Sequence, residues 1–229
     1  MNYILIDIDN CIVPDFYGLT ILKNHANVGL IPPSVLDEIL SLIATYKSGK
    51  LAYVDLIAKW NEIWATSLTG ISIKQLKDTD RDINQQEAKR IRPFFKGLLG
   101  TLIPRTDTKI ILVTGEPTPV AQSFAAAINI QDIIGTELGI DQNNCLTGKV
   151  TKGLFDPQDK VDAIFATGIQ PDQILAAFGD SISDAGMLKL AKHPFCVCPS
   201  QELKALGRTN NWHIIDETAQ FSDYAHLFI

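Results

Sequence analysis

The chain of 229 residues contains no apolar run that reaches the roughly 18 residues a membrane-spanning helix needs. Cysteine is scarce. Cys11, Cys145, Cys196 and Cys198 include no CxxC pair, so a disulfide framework is excluded and reduced thiols in a cytoplasmic setting are expected. Basic charge is not in excess: 20 Lys and Arg stand against 26 Asp and Glu, a net charge of −6. That balance argues against a nucleic-acid-binding face. It leaves room for an anionic small substrate at a locally positive or cation-bearing site. The start, MNYILIDIDN, lacks the basic residues of a signal peptide and meets acid where an apolar region would continue. His25, His193, His213 and His226 show no metal-ligand spacing and read as structural. Between Asp15 and Asp80 there is no arginine.

What is present is an acidic motif at the end of an apolar run. In ILIDIDNCIVP, Asp7 and Asp9 lie one residue apart where a buried strand ends. A lone carboxylate in such a place costs several kcal/mol unless something pairs with it. On an extended chain residues i and i+2 point the same way, so both carboxylates can face one cavity. Like charges so close repel unless a cation lies between them.

The texture along the chain alternates. YILIDI reads as a strand, and residues 15 to about 90 then form a helical block without strand signals. Within it, PPSVLDEILSLIATYKSG, LAYVDLIAKWNEIWATSLTG and SIKQLKDTDRDINQQEAKRI carry helical spacing with proline, serine and glycine punctuation. Strands and helices then alternate to the end: KIILVTG, PTPVAQSFAAAINI, a hairpin around DQNN, DPQDKVDAIFATG, QILAAFGD, SDAGMLKLA, PFCVC, SQELKALG and WHIID. This pattern predicts an α/β fold, a parallel sheet with helices on both faces, split in sequence by an all-helical insertion after the first strand. Residues 1–14 and 91–229 form the core of this expectation, and residues 15–90 a cap.

Ligands in such sheets bind beyond the carboxyl ends of the strands. Asp7, Asp9, Thr114 and Asp180 each end or follow a predicted strand, and Asp184 follows in GDSISD. Oxygen ligands with room for a phosphate suit Mg²⁺. Thr114 offers a hydroxyl, and Gly115 lets backbone approach an anion close to a helix N-terminus. Lys160, early in the helix PQDKVDAIF, gains nothing from the helix dipole there. Beside the acids it can neutralise a carboxylate and a phosphate together. Each motif alone has an ordinary explanation, such as a strand end, a turn, a cap or a solvated lysine. Their ordered combination does not.

In DIDNC, VTG, Lys160 and GDSISD, in that order over nearly the whole chain, the sequence resembles the haloacid dehalogenase-like phosphohydrolases. The insertion after the first strand and the stretch DQNNCLTGKV are similar to the subfamily IB proteins that include phosphoserine phosphatase. The resemblance implies a Rossmann-like core and a Mg²⁺-dependent phosphatase acting on a small phosphorylated metabolite. Asp7 would be the nucleophile that becomes an aspartyl-phosphate, and Asp9 the general acid and base. Asp7, Asp9 through its main-chain carbonyl, and Asp180 would hold the metal, with Asp184 as ligand or support. Thr114, Gly115 and Lys160 would hold the phosphoryl group. Phosphotransfer to an alcohol acceptor would use the same residues. A receiver-like, non-catalytic phosphate or Mg²⁺ module would share the acidic pocket but not the insertion or Asp9.

Three departures from the family pattern matter. Cys11 stands where threonine or valine is common, and Asn10 where glycine is frequent, a position asparagine tolerates. Phosphoserine phosphatases carry a glutamate nine residues after the nucleophile for the substrate amine, and an arginine in the insertion for its carboxylate. This chain has Phe16 at the first place and no arginine before Arg81. Phosphoserine is therefore not the expected substrate. Phe16, Tyr17, Tyr53, Trp60 and Trp64 are offered instead, with Trp60 and Trp64 on one helical face. Two readings stand: packing within the cap, or a wall over the site suited to an apolar or choline-like leaving group.

Overall fold

The computed structural model describes residues 1–228. Its centre is a sheet in the order β4-β3-β2-β1-β5-β6-β7, with β1 at Asn2–Ile6, β2 at Thr108–Pro117, β3 at Asp132–Ile140, β4 at Leu146–Lys152, β5 at Ile174–Gly179, β6 at His193–Val197 and β7 at His213–Ile215. Every pairing is parallel except that of β3 with β4, the expected hairpin, which turns through Asn144 at φ 58°. The apolar runs are continuous because both faces are covered. Ile4, Ile6, Leu112, Phe178 and Phe195 pack on one face, while Leu5, Ile111, Val113, Ala177 and Cys196 pack on the other.

The helical block after β1 comprises α1 (Tyr17–Asn27), α2 (Pro33–Lys47), α3 (Tyr53–Ser67) and α4 (Ile73–Arg90). The punctuation read from sequence appears where expected. Gly49 and Gly70 sit at φ 75° and 82° beyond α2 and α3, and Ser72 caps α4 by accepting from Gln75 N. Helix α1 was not individually legible, because Gly18 and the mixture of Thr20, Ile21 and Asn24 give YGLTILKNHAN a weak helical signal. The later helices are α5 (Pro93–Leu102), α6 (Thr118–Ala127), α7 (Pro157–Ala166), α8 (Ala185–Leu190) and α9 (Gln201–Thr209). One expectation shifts: β2 runs on through Gly115 to Pro117, so α6 begins three residues after Gly115 rather than directly behind it.

Parallel register builds the site. Ile6 lies opposite both Leu112 and Phe178, so the residues that follow each strand emerge at one edge of the sheet. Asp7 and Asp180 leave the sheet there, while Thr114, expected to follow its strand, lies within the longer β2 beside them.

Candidate active site

Behind β1 the chain makes a tight turn. Ile12 N donates to Asp7 O, Val13 N donates to Ile8 O, and Asn10 adopts φ 50°, the left-handed angle that asparagine accepts. Arg92, at the entry to α5 and largely buried, clamps this turn. Its Nε donates to Cys11 O at 2.9 Å and its Nη2 to Asn10 O at 3.0 Å. Nothing in the sequence around RPFF announces that role, since the partners are carbonyl oxygens some eighty positions away.

Lys160 reaches in from α7 and is 2% exposed. Its Nζ donates to Asp7 Oδ1 at 2.8 Å, to Asp184 Oδ1 at 2.6 Å and to Val113 O at 3.3 Å. Burial by itself would depress its pKa, but the Asp184 and Asp7 charges hold it above the ordinary lysine range. The remaining oxygen of Asp184, Oδ2, accepts from the backbone N–H groups of Asp180 and Ser181 at 3.0 and 3.1 Å. Gly179 permits this: a Cβ there would stand 2.3 Å from that of Asp184. Both Asp184 oxygens are thus engaged by the protein, which fits support of the loop better than direct ligation.

Asp180 differs. No hydrogen bond from the described residues reaches its carboxylate, and burial, followed by Asp184, Asp7 and Asp9, pushes its pKa well up. One oxygen from each of Asp7, Asp180 and Asp184 can be chosen so that all lie within 4.8 Å of one another. Hard oxygen donors, net negative charge and an unsatisfied carboxylate are the donor set a divalent cation such as Mg²⁺ fits. The Asp9 carboxylate is turned away from this cluster. Its Oδ1 accepts from Gly18 N at 3.2 Å, at the start of α1, where the helix dipole favours an anion.

Asp9 also meets Glu116, which the sequence reading did not single out. Glu116 Oε1 lies over Gly18, where a Cβ would come within 2.1 Å, which sets its carboxyl near that of Asp9. Burial and then the Asp9 charge push Glu116 well above the ordinary glutamate range. Burial raises the Asp9 carboxyl as well, so both environments favour the protonated form. The available signal was an acid two residues beyond Thr114 on the same strand end.

Gly115 borders the cavity, and Thr136 Oγ1 fixes its surroundings by donating to Gly115 O at 2.8 Å and accepting from Leu154 N at 3.2 Å. Thr114 is fully buried beside it, its Oγ1 accepting from Glu116 N at 3.1 Å. Cys11 is fully buried, and burial, followed by the charges of Asp7, Asp184 and Asp180, pushes its thiol up, the reverse of what a nucleophilic cysteine needs.

The aromatic residues divide. Phe16, Tyr53 and Trp60 line the cavity together with Ile57, Asn61, Leu154 and Phe155. Tyr17 and Trp64 do not. Tyr17 donates to Asn84 Oδ1 at 2.7 Å, and Trp64 Nε1 donates to His25 Nδ1 at 3.2 Å while His25 Nε2 bonds Asp80 Oδ1 at 2.7 Å. This buried polar network holds the helical block together, so packing explains Trp64 and the site explains Trp60. About 570 Å³ of space, solvent at the mouth included, lies among these residues.

A parallel sheet carrying four aspartates and a buried lysine at its carboxyl edge, beside a helical insertion, is the arrangement of an acid-cluster hydrolase. The haloacid dehalogenase-like hydrolase family model matches residues 4–189, and the chain belongs to that family. No curated protein sequence matches it. Among solved structures it is similar to a protein of unknown function from Bordetella pertussis Tohama I, at 17% identity over 95% of this chain and 99% of that one, with a TM-score of 0.75. A substrate-bound phosphoserine phosphatase matches at 17% identity over 98% and 97% of the two chains, with a TM-score of 0.63. Cytosolic 5'-nucleotidase IIIB bound to cytidine matches at 11% identity over 99% and 83%, with a TM-score of 0.67. At these identities the likeness is one of fold. No helix is long and apolar enough to cross a membrane among the described residues.

Proposed function

We propose that the protein is a Mg²⁺-dependent phosphatase that hydrolyses a small phosphomonoester through an aspartyl-phosphate on Asp7. The observation that carries this reading is the Lys160 ammonium bridging Asp7 and Asp184, with an Asp180 carboxylate oxygen in the same cluster. Asp7 and Asp180, with the main-chain carbonyl of Asp9, would hold the cation, and Asp184 would orient Lys160 and the loop of Asp180. When bound, the cation neutralises carboxylate and phosphate charge.

A free Asp7 oxygen attacks phosphorus and the ester P–O bond breaks. A proton held on Asp9, which burial favours, passes to the leaving oxygen, giving a neutral alcohol. Asp9, now ionised, takes a proton from water, whose oxygen attacks phosphorus and releases the Asp7 carboxylate and inorganic phosphate. Lys160 and the Gly115 main chain hold the phosphoryl oxygens through both steps, and Thr114, buried behind them, shapes the strand end by accepting from Glu116 N. Residues 15–90 act as the cap that excludes bulk water during the first step and admits it for the second. That cap is stitched to the β3–β4 hairpin: Gly70 N donates to Leu146 O, Leu146 N to Ile71 O, and Ile73 N to Asn144 O. Motion is therefore expected in α2 and the N-terminal half of α3 rather than at this seam.

The test is turnover of phenyl phosphate with Mg²⁺ by the native protein, Asp7→Asn and Asp9→Asn. Undiminished activity in Asp7→Asn overturns the mechanism, and activity indifferent to a chelator overturns the metal assignment.

A further inference from the structure

Five buried side-chain polar atoms have no hydrogen-bond partner among the described residues, and three of them belong to residues lining the catalytic cavity: Trp60 Nε1, Asn61 Oδ1 and Glu116 Oε2. Buried polar atoms are nearly always paired, so an orphan facing a cavity marks a place for a ligand atom. Asn61 is the clearest case. It is 3% exposed, and its Nδ2 donates to Ile57 O at 3.0 Å, one turn back along α3. That carbonyl can only accept, so the amide nitrogen must face it and the oxygen must be the atom left free. Glu116, from β2, adds a second unpartnered acceptor among the residues lining the same cavity.

The charges around these acceptors are one-sided. Asp7, Asp9, Glu116 and Asp180 line the cavity, against the single cation Lys160, which is already bound by Asp7 and Asp184. Aromatic faces on the cavity wall, Phe16, Tyr53 and Trp60, also favour a cation. No lining arginine or further lysine is available to receive a substrate carboxylate.

We propose that Asn61 Oδ1 and Glu116 Oε2 receive an ammonium group on the leaving alcohol, so that the preferred substrate is a phosphorylated amino alcohol without a carboxylate. The proposal rests on the phosphatase reading above and specifies its substrate class. A primary ammonium has three N–H donors, enough to satisfy both orphan oxygens. The glutamate absent at position 16 is thus replaced in space by Glu116, from another strand. The arginine absent from the insertion leaves a carboxylate-bearing substrate without a counter-ion.

The experiment measures kcat/KM with Mg²⁺ for O-phosphoethanolamine, glycerophosphate, O-phosphoserine and phenyl phosphate. The native protein is expected to favour O-phosphoethanolamine over both glycerophosphate and O-phosphoserine by about tenfold or more, the scale of one well-placed charged hydrogen bond. Asn61→Leu and Glu116→Gln are each expected to reduce the ratio of O-phosphoethanolamine to glycerophosphate by about tenfold, mainly through KM. Because the ratio is taken within one variant, general damage to folding cancels, and Asn61→Leu, remote from Asp9 in the chain, checks the result of Glu116→Gln. Asp7-dependent turnover of phenyl phosphate without an ammonium preference, or a preference unchanged in both variants, overturns this assignment and leaves the phosphatase reading standing. Absence of turnover on every ester overturns both.

Discussion

Lys160 Nζ and Asp7 Oδ1 lie 2.8 Å apart, joined across 153 positions of sequence. The contact links α7 to the turn behind β1, and Asp184 completes it from the other side at 2.6 Å. An ammonium buried among carboxylates stabilises the site only while all the partners are present.

Replacing Lys160 by methionine keeps the stem and removes the charge. Phosphatase turnover is expected to fall by roughly 10²–10³-fold, the cost typical of losing one stabilising group at a developing charge. Stability is expected to fall by about 3–5 kcal/mol, because Asp7 and Asp184 are left buried without a counter-charge. Denaturant unfolding and steady-state kinetics on the same preparation check both.

Stability of the chelated protein should fall as pH rises. Asp7, Asp180 and Glu116 have folded-state pKa values raised above their ordinary values of 3.8, 3.8 and 4.5, chiefly by burial. Above those ordinary values the native state binds more protons than the unfolded state, so the stabilisation present at acid pH is lost towards the raised values. Thermal unfolding with a chelator should show the decline from mildly acidic to neutral pH, and Mg²⁺ should flatten it by stabilising the ionised carboxylates.

Arg92 tests the turn that carries Asp7 and Asp9. Arg92→Lys cannot span Cys11 O and Asn10 O with a planar fork, so two carbonyl contacts are replaced by one at best. A loss of about 1–3 kcal/mol is expected, together with a fall in kcat larger than any rise in KM. Unchanged kcat would show that the turn holds its shape without the clamp.

Trp60 and Trp64 should separate cleanly. Trp64→Ala opens a cavity in the helical block and strands His25 Nδ1, costing about 3–5 kcal/mol of stability. Trp60→Phe removes an N–H without a protein partner among the described residues and one ring of the cavity wall, so unfolding should shift less than in Trp64→Ala while KM changes. The reverse pattern would reassign the two residues.

Much of this was legible in the sequence because it depends on local rules. The alternating texture gave the sheet and its helices, the glycines and serines ended and capped α2 to α4, and residues ending strands fell at one sheet edge. Asp7, Asp9, Lys160, Asp180 and Asp184 were found for that reason. What stayed hidden depends on contacts between distant segments. Glu116 was passed over because its meaning comes from Gly18 and Asp9, on another element. Asn61 looks like an ordinary polar residue on α3 until the Ile57 carbonyl fixes its nitrogen. Periodicity put Trp60 and Trp64 on one face but could not reveal that the face passes from the cavity wall into the buried network around His25.

The central claim is that Asp7 carries the phosphoryl group between the two chemical steps. Acid-quenching the protein during turnover of phenyl phosphate with Mg²⁺, followed by peptide mass analysis, measures this directly. The account predicts one added phosphoryl group on the peptide containing Asp7, appearing within the first turnover and absent from Asp7→Asn. Full turnover with that peptide unmodified throughout, or the same modification in Asp7→Asn, would contradict it.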